Sequence, residues 1–145
     1  MSSEVLLLSG PNLNELGVRS PEIYGSMTLD NHVATFSKVL HDAGYSVRHV
    51  QSNFEGELIE CVQAARGISE AIVINAGAFT HTSWALSDAL ESFPGPKIEV
   101  HISNPAAREP FRHISTLAPV VQGSIAGFKN ATYVVAGHAI LDLLT

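Results

Sequence analysis

Short apolar runs alternate with longer amphipathic stretches along this chain. Val5–Ser9, Tyr45–Gln51, Ala71–Asn75, Lys97–Ile102 and Pro119–Gln122 have strand length and are bounded by turn residues. Near-continuous apolar runs of this kind mark strands covered on both faces, as in parallel sheets. Between them the period changes. Val33, Phe36, Val39 and Leu40 recur at helical spacing and predict a helix over 29–43, with Thr28 as N-cap and Gly44 as stop. Further helices are predicted over 57–66, ending at Gly67, over 83–92, ending before Pro94, and over 127–144, with a short helical turn after Pro105. Strand and helix alternate about five times, which calls for a parallel sheet with helices on both faces. Right-handed crossovers leave few topologies. The expected fold is α/β, a flavodoxin-like three-layer sandwich with a five-stranded parallel sheet in the order 2-1-3-4-5. No internal repeat divides the 145 residues, so one domain is expected over 1–145.

Composition narrows the function classes. Hydrophobic residues make up 46% and charged residues 15%, enough to fill one core. The formal charge of −6 argues against an extended anionic partner such as nucleic acid, while leaving room for a small anionic substrate beside a few local arginines. The one cysteine, Cys61, lies in an amphipathic stretch and reads as packing. The run Val5–Leu8 is too short for a signal peptide or a membrane span, and the expectation is a cytoplasmic protein with no membrane contact.

In open α/β sheets ligands bind beyond the carboxyl ends of the strands. Four predicted strand ends carry polar groups there: Gly10-Pro11-Asn12-Leu13-Asn14 after the first, Asn53 and Glu55 after the second, Asn75 through Ser83 after the third, and Glu99 through Asn104 after the fourth. Singly, each suits a turn or a cap; together they favour a site. The connection over 10–26 is long, which suits a lid. It carries Arg19 and Tyr24, with Gly17 and Gly25 as candidate hinges. A tyrosine, with a free pKa of about 10, serves as a base only where its phenolate is stabilised, for instance by guanidinium groups. Arg19, Arg108 and Arg112 are the candidates. Glu99 and His101 are two apart on a strand and project to one face, where the carboxylate would orient the imidazole and favour its protonated form. No metal site is expected: no His-x-x-x-His pair falls on a predicted helix, and no clear carboxylate-and-histidine set completes a site with His81 and His101. No Gly-rich phosphate loop is present.

These residues lie in four ordered motifs. Gly10-Pro11-Asn12-Leu13-Asn14 is followed by Leu16-Gly17, Arg19, Pro21 and Tyr24-Gly25. Next come Asn75-x-Gly77-Ala78-x-Thr80-His81-Thr82-Ser83, Ala85-Leu86 and Asp88-Ala89-Leu90. Then follow Glu99-Val100-His101-x-Ser103-Asn104, with Arg108-Glu109-x-Phe111-Arg112-His113, and finally Gly123-x-Ile125-x-Gly127-Phe128. In this order the motifs, spread over residues 5 to 130, resemble the type II 3-dehydroquinate dehydratases.

The resemblance implies anti elimination of water from 3-dehydroquinate, giving 3-dehydroshikimate, in the shikimate or the quinate pathway, with neither metal nor organic cofactor. It implies Tyr24 as the base, Arg19 and Arg108 holding its phenolate, and a lid at 17–26. Asn12 would stabilise the enolate through a water, and His101, oriented by Glu99, would protonate the departing hydroxyl. Asn75, His81 and Arg112 would hold substrate hydroxyls, and Ile102 and Ser103 its carboxylate. Asp88 would reach the site from a neighbouring subunit of a homododecamer built from trimers. The chain departs from the resemblance at Phe54, Ala76, Phe79 and Ile114, and in the Asn104-Pro105-Ala106-Ala107 lead into Arg108. Two other readings stay open on the sequence: a non-catalytic flavodoxin-like binding module, and a dehydratase acting on a different hydroxy-ketone ring acid.

Overall fold

The computed structural model describes residues 3–145. Met1 and Ser2, which the expected 1–145 domain includes, lie outside the described residues. The strands β1 (Ser3–Ser9), β2 (Tyr45–Gln51), β3 (Ala71–Asn75), β4 (Lys97–His101) and β5 (Gly123–Ala126) form one parallel sheet in the order β2-β1-β3-β4-β5. This is the expected order. The helices are α1 (Pro21–Tyr24), α2 (Leu29–Asp42), α3 (Glu55–Ala65), α4 (Trp84–Glu91) and α5 (Thr132–Leu144).

Strand period 2 sorts the core into two layers. Val5, Leu7, Val73, Ile98 and Val100 pack with Phe36 and Leu40 of α2 and with Tyr133, Ala136 and Ile140 of α5. Leu6, Leu8, Ile72 and Ile74 point the other way, onto Leu58 and Val62 of α3 and Leu86 and Leu90 of α4. The middle of β1, Val5 to Leu8, and β3 from Ala71 to Ile74 are therefore apolar at every position, as their sequences suggested.

Thr28 caps α2: its hydroxyl accepts from Asn31 N–H at 3.2 Å, and Asn31 Oδ1 accepts from Thr28 N–H at 3.1 Å. Ser83 caps α4 in the same way, accepting from Leu86 N–H at 3.0 Å, so this helix starts one residue later than expected. At its other end the buried Lys97 amine donates to the carbonyls of Leu90 and Phe93 at 2.8 and 2.7 Å, satisfying acceptors the helix leaves free.

Three expectations are corrected. The fifth strand is Gly123–Ala126, not 119–122, because Pro119 lies in a 3-10 turn over Ala118–Val120 and has no N–H for a ladder. The last helix begins at Thr132 rather than 127; Gly127 and Lys129 both have positive φ, 92° and 46°, which no right-handed helix admits. The 10–26 connection is not structureless, since it holds a 3-10 turn over Leu13–Glu15 and the short helix α1. Among the described residues no helix is long and apolar enough to cross a membrane.

Candidate active site

The carboxyl ends of β1, β3 and β4 carry the loops that build the site, and their backbones meet closely. Gly10 N–H donates to the Asn75 carbonyl at 2.8 Å, and a Cβ at Gly10 would come within 2.4 Å of the Ala76 carbonyl oxygen. Any side chain there would push the first and third loops apart. Asn12 follows in the left-handed conformation, φ 68°, which asparagine tolerates better than most residues. Its backbone N–H is held by Asn53 Oδ1 at 3.0 Å.

Two recesses adjoin at this edge. Asn12, Arg19, Tyr24, Asn75, Ile102 and Arg108 line the first. His81, Glu99, His101, Asn104, His113 and Ser115 line the second, and Arg112 belongs to both. A wider groove between α2 and α5, lined by residues such as Ala34, Val39, Val134 and Leu141, is mostly apolar and gathers no comparable set of polar groups.

In the first recess the ring of Tyr24 is buried in the layer beneath α2 and α5. Arg108 Nη1 donates to the Tyr24 hydroxyl at 2.9 Å and to Ser103 Oγ at 3.3 Å. Arg19 and Arg108 lie 5.1 and 5.3 Å from the Tyr24 ring centroid, so two cations flank one phenol. Gly17 and Gly25, with φ of 93° and 83°, bound the segment that carries Arg19 and Tyr24. Ser20, also with positive φ at 40°, precedes Pro21, which opens α1 at the position where its missing N–H is harmless.

In the second recess Glu99 and His101 lie on the opposite face of β4 from Val100. His101 Nε2 is 2.8 Å from Glu99 Oε2. The same oxygen accepts from Ser115 Oγ at 2.7 Å, and Oε1 accepts from Ser124 Oγ at 3.0 Å. Burial pushes the Glu99 carboxyl up, but the hydrogen bond and charge of His101 and the bonds from Ser115 and Ser124 outweigh it, so the group lies below the ordinary carboxylate range. An ionised Glu99 only accepts, so His101 Nε2 carries a proton and the free ring nitrogen is Nδ1. By the same logic His81 Nδ1, 2.7 Å from the Ile114 carbonyl, is the donor and leaves Nε2 as an acceptor. His113 Nε2 donates to the Arg108 carbonyl at 2.9 Å, tying the arginine's backbone to this side.

Comparisons with known proteins agree with this arrangement. The family model described as dehydroquinase class II matches residues 3–141. The chain belongs to the class II dehydroquinases. A 3-dehydroquinate dehydratase from Hyphomonas neptunium is 50% identical to it over 143 residues, spanning 99% of this chain and 96% of the relative. One from Photorhabdus laumondii is 49% identical over 141 residues, spanning 97% and 94%. The crystal structure of the type II dehydroquinase from Butyrivibrio crossotus matches with a TM-score of 0.92 at 41% identity, over 97% of this chain and 98% of that one.

In this class II dehydroquinase nearly all residues singled out from the sequence gather at the two recesses. Ser103 joins through Arg108. Asp88 does not: it is exposed on α4 and lines neither recess. Among the departures, the Phe79 ring packs against the layer beneath α3 and α4, whereas Phe54 and Ile114 are exposed. Sequence reasoning missed Ser115 and Ser124. Ser124 sits opposite Glu99 in the β4–β5 register. Placing the fifth strand at 119–122 hid that pairing; a strand at 123–126 would have exposed it.

Proposed function

We propose that this class II dehydroquinase, which dehydrates 3-dehydroquinate to 3-dehydroshikimate, does so by anti elimination through an enolate, with Tyr24 as base and His101 as acid. The observation that supports this best is the placement of the two groups. Tyr24 belongs to the layer beneath α2 and α5, and His101 projects from the other face of β4. A substrate lodged between the recesses meets them from opposite sides, which anti elimination requires.

The Tyr24 phenolate takes the proton beside the ketone, and the C–H electrons pass into the enolate. Arg108, donating to the phenol oxygen, and Arg19, at the ring, stabilise the charge that this oxygen bears before transfer. Asn12 supports the enolate oxygen through a water, where charge develops. The enolate then collapses: the ketone re-forms, the carbon–carbon double bond closes, and the carbon–oxygen bond breaks. The His101 imidazolium gives its Nδ1 proton to the departing hydroxyl, which leaves as water. Glu99 stays ionised and holds the ring. Asn75, Arg112 and the free Nε2 of His81 take the ring hydroxyls, and the amides of Ile102 and Ser103, with the serine hydroxyl, take the carboxylate. No step needs a metal or an organic cofactor, and among the described residues no group of three or more His, Cys, Asp or Glu side chains is placed to hold a metal.

The same reading takes the chain as one catalytic domain with a lid at 17–26, working in the cytoplasm on the shikimate or quinate route as a homododecamer built from trimers. The exposure of Asp88 supports its reaching a neighbouring site, and exposed Phe54, Trp84 and Ile114 support self-association. Light scattering tests the assembly; a monomeric active enzyme would rule it out. The mechanism is tested by the mid-ultraviolet absorbance of the conjugated product formed by the Tyr24→Phe and His101→Ala proteins. Near-normal turnover by both would remove the assigned base and acid.

A further inference from the structure

An asparagine side chain presents two nearly isosteric ends, and its partners decide which one faces a ligand. At Asn75 the partners leave little choice. Gly77 N–H donates to Asn75 Oδ1 at 3.1 Å, which pins the oxygen. Asn75 Nδ2 donates one proton to the Tyr133 hydroxyl at 3.3 Å, and its second N–H remains for the recess that Asn75 lines.

The Tyr133 hydroxyl is wholly buried at the first turn of α5. Burial pushes Tyr133 up to about 12, against lowering influences from Asn75 and Ser9, so the hydroxyl keeps its proton and meets Asn75 as a neutral acceptor. The ring of His32 lies 5.1 Å from that of Tyr133, but neither of its nitrogens has a partner, so it does not compete for the hydroxyl.

Both ends of the amide are therefore fixed, the oxygen by Gly77 and the nitrogen by a hydroxyl that is itself locked in the core. We infer that Tyr133, which lines neither recess, is a positioning residue that sets the Asn75 amide so that an N–H, rather than a carbonyl, faces the substrate. This rests on the reading of Asn75 as a substrate contact.

The test is a double-mutant cycle between Tyr133→Phe and Asn75→Ala, read as KM and kcat for 3-dehydroquinate, with thermal melting as a check on folding. Tyr133→Phe keeps the buried ring and removes only the acceptor. It is expected to raise KM about fivefold to tenfold, the worth of one hydrogen bond, with kcat within about twofold. Added to Asn75→Ala it should change nothing further. Asn75→Asp keeps the oxygen that Gly77 holds and removes the N–H donor; it should raise KM at least as much, and it carries the test if Tyr133→Phe does not fold. A KM rise for Asn75→Ala with none for Tyr133→Phe would overturn the positioning role alone. So would effects of Tyr133→Phe and Asn75→Ala that multiply as independent losses, and an unchanged KM for Asn75→Asp would overturn the assigned orientation. An unchanged KM for Asn75→Ala would remove the substrate contact, and the role of Tyr133 with it.

Discussion

Tyr24 and His101 sit on opposite sides of one sheet edge, and their surroundings differ in sign and in construction. His101 leans on a carboxylate that is 2% exposed and anchored by two serines, one of them from the neighbouring strand. Every part of that unit hangs on the sheet or on a loop packed against it. Tyr24 leans on two guanidinium groups, and it shares with Arg19 a segment bounded by two glycines of positive φ. On the proposed roles the acid is held by the sheet, while the base sits in the long connection after β1. A negative support suits a group that must become cationic, and positive supports suit one that must become anionic.

Several substitutions break this contrast. The largest effects belong to the reacting groups themselves. Tyr24→Phe and His101→Ala should each lower kcat about 10²–10⁴-fold in a steady-state assay, with circular dichroism unchanged. Arg108→Lys comes next. Lysine keeps a charge but loses the planar guanidinium whose Nη1 reaches both Tyr24 and Ser103, so kcat should fall about 10- to 100-fold. If the lysine protein keeps wild-type kcat, charge alone supports the base. Glu99→Gln retains an acceptor for His101 and loses the charge, and a kcat loss of about tenfold is expected. An unchanged value would make Glu99 a purely structural group.

Smaller effects sharpen the contrast on the stability side. Thr28→Ala removes the cap at the start of α2, and should cost about 1 kcal/mol in urea unfolding. Glu99 predicts a pH effect. Its folded value is depressed, so its contribution to stability is complete above the ordinary carboxylate value of about 4.3 and is lost as pH falls through the lower folded value. Melting profiles of wild type and Glu99→Gln should therefore converge only below about pH 4. Parallel profiles through that range would show that the serines and His101 do not hold the carboxylate low.

Phe36 and Leu40, Leu7 and Leu8, and the runs Tyr45–Gln51 and Ala71–Asn75 announced their elements because burial on a helix stripe or a two-faced sheet leaves a period in the chain. Thr28 announced its cap by chemistry that is local. Glu99 and His101 were legible as a pair for the same reason: two residues on one strand share a face whatever the rest of the fold does. Pro119 and Gly127 misled the outlines of β5 and α5, since apolar neighbours there are not tied to a single backbone form.

By itself the sequence determined the sheet order, the motifs and the candidates for the reacting groups, all of which rest on neighbours close in the chain or on a strong topological rule. Only the tertiary structure decided which partners hold those groups. Arg108 meets Tyr24 across 84 residues, Ser124 meets Glu99 across 25, and Tyr133 meets Asn75 across 58. Contacts of that range depend on strand register and on where a helix begins, and a shift of one residue turns a side chain to the other face. Local pattern sets the pieces; the register of the assembled sheet sets their partners.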